Sequence, residues 1–465
     1  MTRIAQPVWI RTAVATAAAV VLGLALSPSI AADTRTESGS ARLSLAGKLR
    51  LETEVVSRLA CEAATGADRQ SAAADLRAAE RRVRTFLSAL KDGDLALGLR
   101  EPEQKRRVLE KIIDVENIWR DVRSAVDGLL GGGEDPAALE AVLAAGTQSE
   151  AAVQDLLAVL AGSYSSGETF SFQASLALNV LLRQKVILAE IATLQCLIRS
   201  GRPTVASAGQ LALVTQVETF ENSLKVLIEG QPAIGIMPPP NDQVQDRLLS
   251  VADIWQTEKR ALNTSASFGD TAQGDLLREL ENAVVLYLLA TSAQPDLYRV
   301  PLEQYTSAEL RNWLRTPMVA DAIEAQNSAH KSLQQDDVDA LDQKWRAERA
   351  SGALEMISEV MARPLSSYLK ERQTATAGIV TEVFVMDNKG LNVGQSEITS
   401  DYWQGDEDKW LLTFATPEGE MHISDVEFDE STGFYQVQVS IPISSPDTGQ
   451  RIGAVTFGVN IQSLL

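Results

Sequence analysis

Between residues 43 and 90 apolar side chains recur every three to four positions. Leu43, Leu45, Leu49, Leu51, Val55, Val56 and Leu59 make one stripe that stops at Gly66, and a second runs over 69–90 to Asp92-Gly93-Asp94. That period predicts amphipathic helices, with glycine as the stop signal. A third helix is predicted over 108–129, ending at Gly131-Gly132-Gly133. A fourth starts at Asp135-Pro136, aspartate as cap and proline in the first turn, and runs towards Leu160 with a break expected at Gly146. The polar stretches 34–40 and 162–167 read as linkers.

The plan then repeats. LSLAGKLRLETEVVSRLACEAATG over 43–66 lies on LNVLLRQKVILAEIATLQCLIRSG over 178–201, matching Lys48 with Arg183, Arg50 with Lys185, Cys61 with Cys196 and Gly66 with Gly201. Phe86, the Leu97-Gly98-Leu99 turn and Trp119 return in order as Phe220, Ile234-Gly235-Ile236 and Trp255. Ordered landmarks at a fixed offset of about 135 residues mean a duplicated domain rather than a short solenoid repeat. Long amphipathic helices with short connections predict a four-helix bundle over 40–165 and a second over 171–292.

The texture changes at Tyr298. Ser307-Ala308-Glu309-Leu310 reads as a capping box before a helix holding Trp313, Thr316-Pro317 starts another, and helices over 336–346 and 352–372, the latter kinked at Pro364, follow. Alternation then predicts strands over 379–386, 391–395, 420–428, 434–443 and 453–459, with a hairpin turn at Asp387-Asn388-Lys389-Gly390 and a loop with a short helix over 400–410. The fold class expected is mainly α, two four-helix bundles followed by a C-terminal α+β domain over 298–465 with an antiparallel sheet.

Composition narrows the function. The chain has 465 residues and a net charge of −20, which argues against a nucleic-acid partner. Residues 1–32 read as a signal peptide: Arg3 and Arg11, an apolar stretch over 13–26, and small residues for a cut after Ala31 or Ala32. No later run reaches membrane-spanning length; 283–293 is too short. The expected location is the periplasm, where disulfides form. His330 and His422 stand far apart, and no zinc spacing, Walker loop, GxSxG or GxGxxG is present, so neither catalysis nor a metal or cofactor is expected.

Gly47-Lys48-Leu49-Arg50-Leu51 on a first helix resembles the signature of the PilJ-type sensor domain, the N-terminal bundle of type IV pilus chemotaxis transducers, in two tandem copies. In the related nitrate sensors a helix-one arginine binds the anion at a dimer interface, which implies Arg50 here and Lys185 in the second copy. Read from the residues alone, Arg50 pairs equally well with Glu54, four positions on, and Lys48 and Arg50 point to opposite sides of the helix. Family members that dimerise about helix one imply an internal pseudo-dimer in a duplicated chain. Cys61 and Cys196 then meet, either as a disulfide or as two buried thiols.

Val385-Met386-Asp387 with Gly390-Leu391, Tyr402-Trp403 with Gly405, and the terminal Gly453-Ala454-Val455-Thr456 resemble a Cache domain, the PAS-like extracellular sensor fold. The resemblance implies a ligand against the sheet beneath the 400–410 loop. Read from the residues, Tyr402 and Trp403 either wall that pocket or form a small hydrophobic core, and Asp401, Asp406 and Asp425 either hold an amine or cation or make a solvated face. The function expected is a periplasmic sensor that binds a small molecule or anion and reports to a membrane-bound receptor, kinase or transducer. The alternative is a non-catalytic adaptor of the envelope or pilus machinery.

Overall fold

The computed structural model describes residues 28–65, 68–131, 136–164, 171–199, 203–263, 270–292, 296–416, 419–429 and 433–461. Residues 1–27, which hold the basic and apolar parts of the expected signal peptide, lie outside these. Eight long helices form two units of one plan. The first comprises α1 (Pro28–Thr65), α2 (Arg69–Asp92), α3 (Arg106–Gly131) and α4 (Pro136–Tyr164); the second comprises α5 (Phe172–Arg199), α6 (Pro203–Glu229), α7 (Asp242–Asn263) and α8 (Asp270–Thr291). Between the second and third helix of each unit sits a 3-10 turn, Leu95–Leu97 and Pro232–Ile234, closed by a left-handed glycine, Gly98 or Gly235. Matching backbone bridges, Asp94 with Leu99 and Gln231 with Ile236, stand 137 residues apart in both partners.

The apolar stripes turn inward. Leu76, Val83, Phe86, Ile112, Val115 and Trp119 fill the first unit, and Phe220, Leu224, Leu248, Val251 and Trp255 the second; each large side chain so buried is worth roughly 1.5–3 kcal/mol. Two expectations change. The stretch 34–40 is helix rather than linker, because polar residues without proline do not stop a helix. The helix α4 runs unbroken through Gly146, where a β-carbon would stand 2.7 Å from Ser57 Oγ. Gly146 therefore permits the close approach of α4 to α1.

The first helices of the two units, α1 and α5, pack on each other and are joined by a Cys61–Cys196 disulfide, with Cα atoms 6.1 Å apart. Lys48 stands within electrostatic reach of Lys185, and Glu54 within reach of Glu190. These contacts keep pace with the disulfide along both chains, so the two helices run side by side in the same direction. The matched cysteines meet, as they would across the two-fold of a homodimer, while Lys48 and Glu54 face residues one or two positions beyond their matches.

The C-terminal region begins with α9 (Arg299–Tyr305), which continues through a wider π turn (Thr306–Leu310) into α10 (Arg311–Trp313). Ser307 is thus inside a helix rather than at its start. Its hydroxyl bonds back to the Glu303 carbonyl at 2.8 Å, and Glu309 accepts from Trp313 Nε1 at 2.8 Å instead of capping. Then come α11 (Pro317–Ala329), α12 (Gln335–Ser351), α13 (Glu355–Met361) and α14 (Pro364–Ala375). Pro364 opens α14 instead of kinking one long helix, as suits a residue with no N–H to give.

The strands are β1 (Val380–Met386), β2 (Asn392–Gln395), β3 (His422–Ile423), β4 (Glu427–Asp429), β5 (Phe434–Ser444) and β6 (Arg451–Val459), with α15 (Asp408–Leu411) between β2 and β3. They pair antiparallel in the order β2-β1-β6-β5-β3, and β4 adds to β5. The strand expected over 420–428 is therefore two short ones. One face of the sheet carries Val383, Val385, Val439, Ile441, Val455 and Phe457 onto Leu302, Trp313, Ile323, Leu365 and Leu369. This region touches both helical units. Tyr305 donates to the Ala96 carbonyl at 3.0 Å, Lys48 Nζ donates to the Ala377 carbonyl at 2.9 Å, and Asn282 of α8 pairs with Gly433 and Tyr435 at the start of β5.

Candidate functional site

At the α1–α5 seam the two basic residues carried over by position are brought close to carboxylates. Arg50 pairs with Glu150 of α4 at 2.7 Å, not with Glu54, and Lys185 pairs with Glu281 of α8 at 2.8 Å. Glu54, Glu150 and Glu190 gather within 4.8 Å of one another. Burial pushes the Glu54 carboxyl up to about 8, the charges of Glu190 and Glu150 add to this, and Arg50 opposes it. Glu190 is raised as well, by burial first and then by Glu150. An anion at Arg50 would face three carboxyl groups, an electrostatic cost that a single guanidinium already paired with Glu150 does not offset. One turn earlier, burial pushes the Lys48 ammonium down to about 8, partly offset by Glu281 and reinforced by Lys185. Along the seam Arg50 and Lys185 are each paired with a carboxylate, while Lys48 still faces Lys185 and Glu54 faces Glu190. A cleft between α3 and α4, lined by Lys111, Asp114 and Asp155 among others, is a solvated groove in which Lys111 pairs with both aspartates.

The aromatic loop does not wall a pocket with the residues expected. Tyr402 is fully buried, stacked on Trp345 at 5.4 Å, in a small core with Val338, Ile357, Val360 and Leu391. Its phenol is pushed up to about 12 by that burial. The Trp403 indole donates to the Lys389 carbonyl at 2.8 Å, which pins the hairpin. Asp401 pairs with Arg346 at 2.7 Å, and Asp425 pairs with Arg299 at 3.3 Å on the surface. Asp406 is exposed. Tyr402 and Trp403 thus hold the loop in place from behind; Asp401 and Asp406 both act on Arg346, and Asp425 stands apart with Arg299.

What the loop covers is the second face of the sheet. Register alone assembles it. Glu382, Gly458 and Gln438 form one row across β1, β6 and β5; Phe384, Thr456, Ser440 and His422 form the next, reaching β3; Met386, Ala454 and Pro442 form the third. Trp410 and Phe414 pack over Phe384, Met386 and Ala454. Lys409 lies 5.3 Å above the Phe384 ring and is steadied by Glu407 at 2.8 Å and Gln404 at 2.9 Å. The rest of the face is polar and enclosed. Ser440 and Thr456 hydroxyls meet at 2.9 Å. Gln436 Nε2 bridges Glu382 at 2.7 Å and Asp429 at 2.6 Å, and Gln438 reaches Glu382 at 3.3 Å. Gly458 belongs to this cluster, since a β-carbon there would fall 2.6 Å from the Glu382 side chain.

Glu382 is 3% exposed. Burial pushes its carboxyl up to about 8, and the neighbouring Asp429 adds to the rise by charge and hydrogen bond. Because the folded value lies above the ordinary one near 4.5, the group's stabilising protonation is fully present below about pH 4.5 and is lost as pH climbs through 8. Wild-type protein is therefore expected to lose stability across that window by up to about 1.4 kcal/mol per pH unit. Glu382→Gln, neutral at every pH, should flatten the dependence. Urea unfolding at pH 5, 6.5 and 8 measures it, and parallel slopes for the two proteins would refute the assignment.

Thr456 belongs to the terminal 453–456 motif and Lys409 and Trp410 to the 400–410 loop, but Glu382, Gln436, Gln438 and Ser440 belong to no motif. Their signal is the period-two polar set inside strands whose other face is Val and Ile. No curated protein and no solved structure matches the chain. Residues 34–145, which span α1 to α3 and the first part of α4, match the family model of the type IV pili methyl-accepting chemotaxis transducer N-terminal region, a sensory region.

Proposed function

We infer that this is a non-catalytic sensory protein of the periplasm. It takes a small polar molecule into the recess between the C-terminal sheet and the 400–416 loop, and it reports occupancy to a membrane-bound partner. The observation that carries this is the second sheet face itself. A surface of Glu382, Gln436, Ser440 and Thr456, all buried, is expensive as a core and is what a recess built for a polar ligand requires. The order β2-β1-β6-β5-β3 and the long helices before it support the Cache-like reading. The match over residues 34–145 supports the sensory role. The paired carboxyls of Glu382 and Asp429 favour a ligand amine over an anion.

Such a ligand stabilises the protein by about 2.7 kcal/mol at a hundred times its Kd. A thermal-shift screen of amino acids, small amines and carboxylates is expected to find amine-bearing compounds that raise the midpoint of the wild type and not of Gln438→Ala or Ser440→Val. A screen without any shift, or shifts unaltered in both variants, sinks the reading.

A further inference from the structure

The two 3-10 turns are one device in different surroundings. In the first unit Leu97 is 3% exposed, and the Ala96 carbonyl accepts the Tyr305 hydroxyl at 3.0 Å. The covering surface is α9 with its π turn, where Tyr305 and Thr306 are themselves buried. In the second unit, 137 residues on, Ile234 is 54% exposed and Met237 46%. Pro232, Ala233 and Pro238 are exposed beside them. The backbone is equally well formed, with Gln231 and Ile236 bridged and Gly235 left-handed.

The residue changes run against exposure to water. Arg100 and Glu101, exposed in the first unit, become Met237 and Pro238, also exposed, in the second. A tip bathed only in solvent gains nothing by exchanging two charges for apolar groups. Single surface hydrophobes need no explanation, but a contiguous set rimmed by polar residues marks an interaction site.

We propose that residues 232–238 are a docking surface for a helical segment of a second protein. That segment lays aliphatic side chains on Ile234 and Met237 and brings a hydroxyl donor to the Ala233 carbonyl, as α9 does to the first unit. A second copy of this chain does not fit the role, because the matching surface around Tyr305 is already spent on its own first unit. The turn is preformed, so little order is lost when the partner seats. The inference rests on the partner half of the proposed function and not on the recess.

The test is photo-crosslinking in the native host, with p-benzoylphenylalanine placed at position 234, 237 or, as a control, 97 of the full chain. Positions 234 and 237 should give an adduct with one and the same protein, identified by mass spectrometry, and position 97 no intermolecular adduct. Binding of that purified protein should fall at least tenfold in Ile234→Asp with the melting temperature unchanged. Met237→Glu serves the same purpose should Ile234→Asp melt early. Adducts only with lipid or a second copy, no adduct, or a partner that binds both variants as well as wild type would overturn the proposal. A ligand-induced thermal shift depends on none of these outcomes, so docking surface and recess fail separately.

Discussion

Replacing Cys61 and Cys196 together by alanine is expected to lower the unfolding free energy of the paired bundles by about 3–5 kcal/mol. The bond closes a loop of 135 residues, for which the loss of chain entropy in the unfolded state comes to about 5 kcal/mol. Residual structure in the denatured chain reduces this. Both side chains are buried between α1 and α5, so alanine leaves only a small space. Either single substitution breaks the same bond, so the double variant should cost little more than each alone, and reduced wild type should unfold with the variants. Urea unfolding followed by circular dichroism, with and without reductant, measures this; superimposable oxidised and reduced curves would remove the disulfide from any account of stability. The bond also works against the seam's own electrostatics. Lys48 faces Lys185, and Glu54 faces Glu190, so like charges meet along matched helices. Once the link is cut, the seam should also become more sensitive to salt.

The architecture was legible because it rests on period and repetition. Apolar spacing places the four helices of the first unit, and the return of Phe86, Gly98 and Trp119 as Phe220, Gly235 and Trp255 carries the same plan to the second. Strand alternation placed β1, β5 and β6. The site was less legible because its partners are distant in the chain. Nothing local says that Arg50 meets Glu150 rather than Glu54, or that Lys185 meets Glu281; four residues of separation suggest a pair, and 100 and 96 do not. Tyr402 reads equally as pocket wall or as core, because a loop aromatic is ambiguous until α12 is placed. Once Trp345 stacks on it, it is core. Gln436, Gln438 and Ser440 alternate with Val437, Val439 and Ile441, which reads as a half-solvated strand. Only tertiary placement of the 400–416 loop turns that polar face from water-facing into enclosed.

Arg42→Met is expected to cost about 3–5 kcal/mol, the range for breaking a buried ion pair from one side. Arg42 is 1% exposed, near the start of the apolar stripe on α1, and pairs with the buried Glu103 at 3.3 Å. Its guanidinium also donates to the carbonyls of Leu90 and Glu101, so one side chain ties α1 to the end of α2 and to the entry of α3. Glu103 in turn accepts from the backbone N–H groups of Gln104 at 2.9 Å and Lys105 at 2.7 Å and from the Tyr164 hydroxyl. With Arg42 gone, the carboxylate keeps those donors but loses its counter-charge, and the carbonyls of Leu90, buried, and Glu101, partly buried, lose a donor. Glu103→Gln in the Arg42→Met background should recover part of the loss, so the two changes together cost less than their sum. The second unit supplies the contrast. Its position 177, matched to 42 by the 135-residue offset, is a buried alanine, and that unit closes its corresponding end with apolar packing. If urea unfolding shows Arg42→Met within about 1 kcal/mol of wild type, the network is dispensable, and the first unit must be held at that end as the second is, by packing alone.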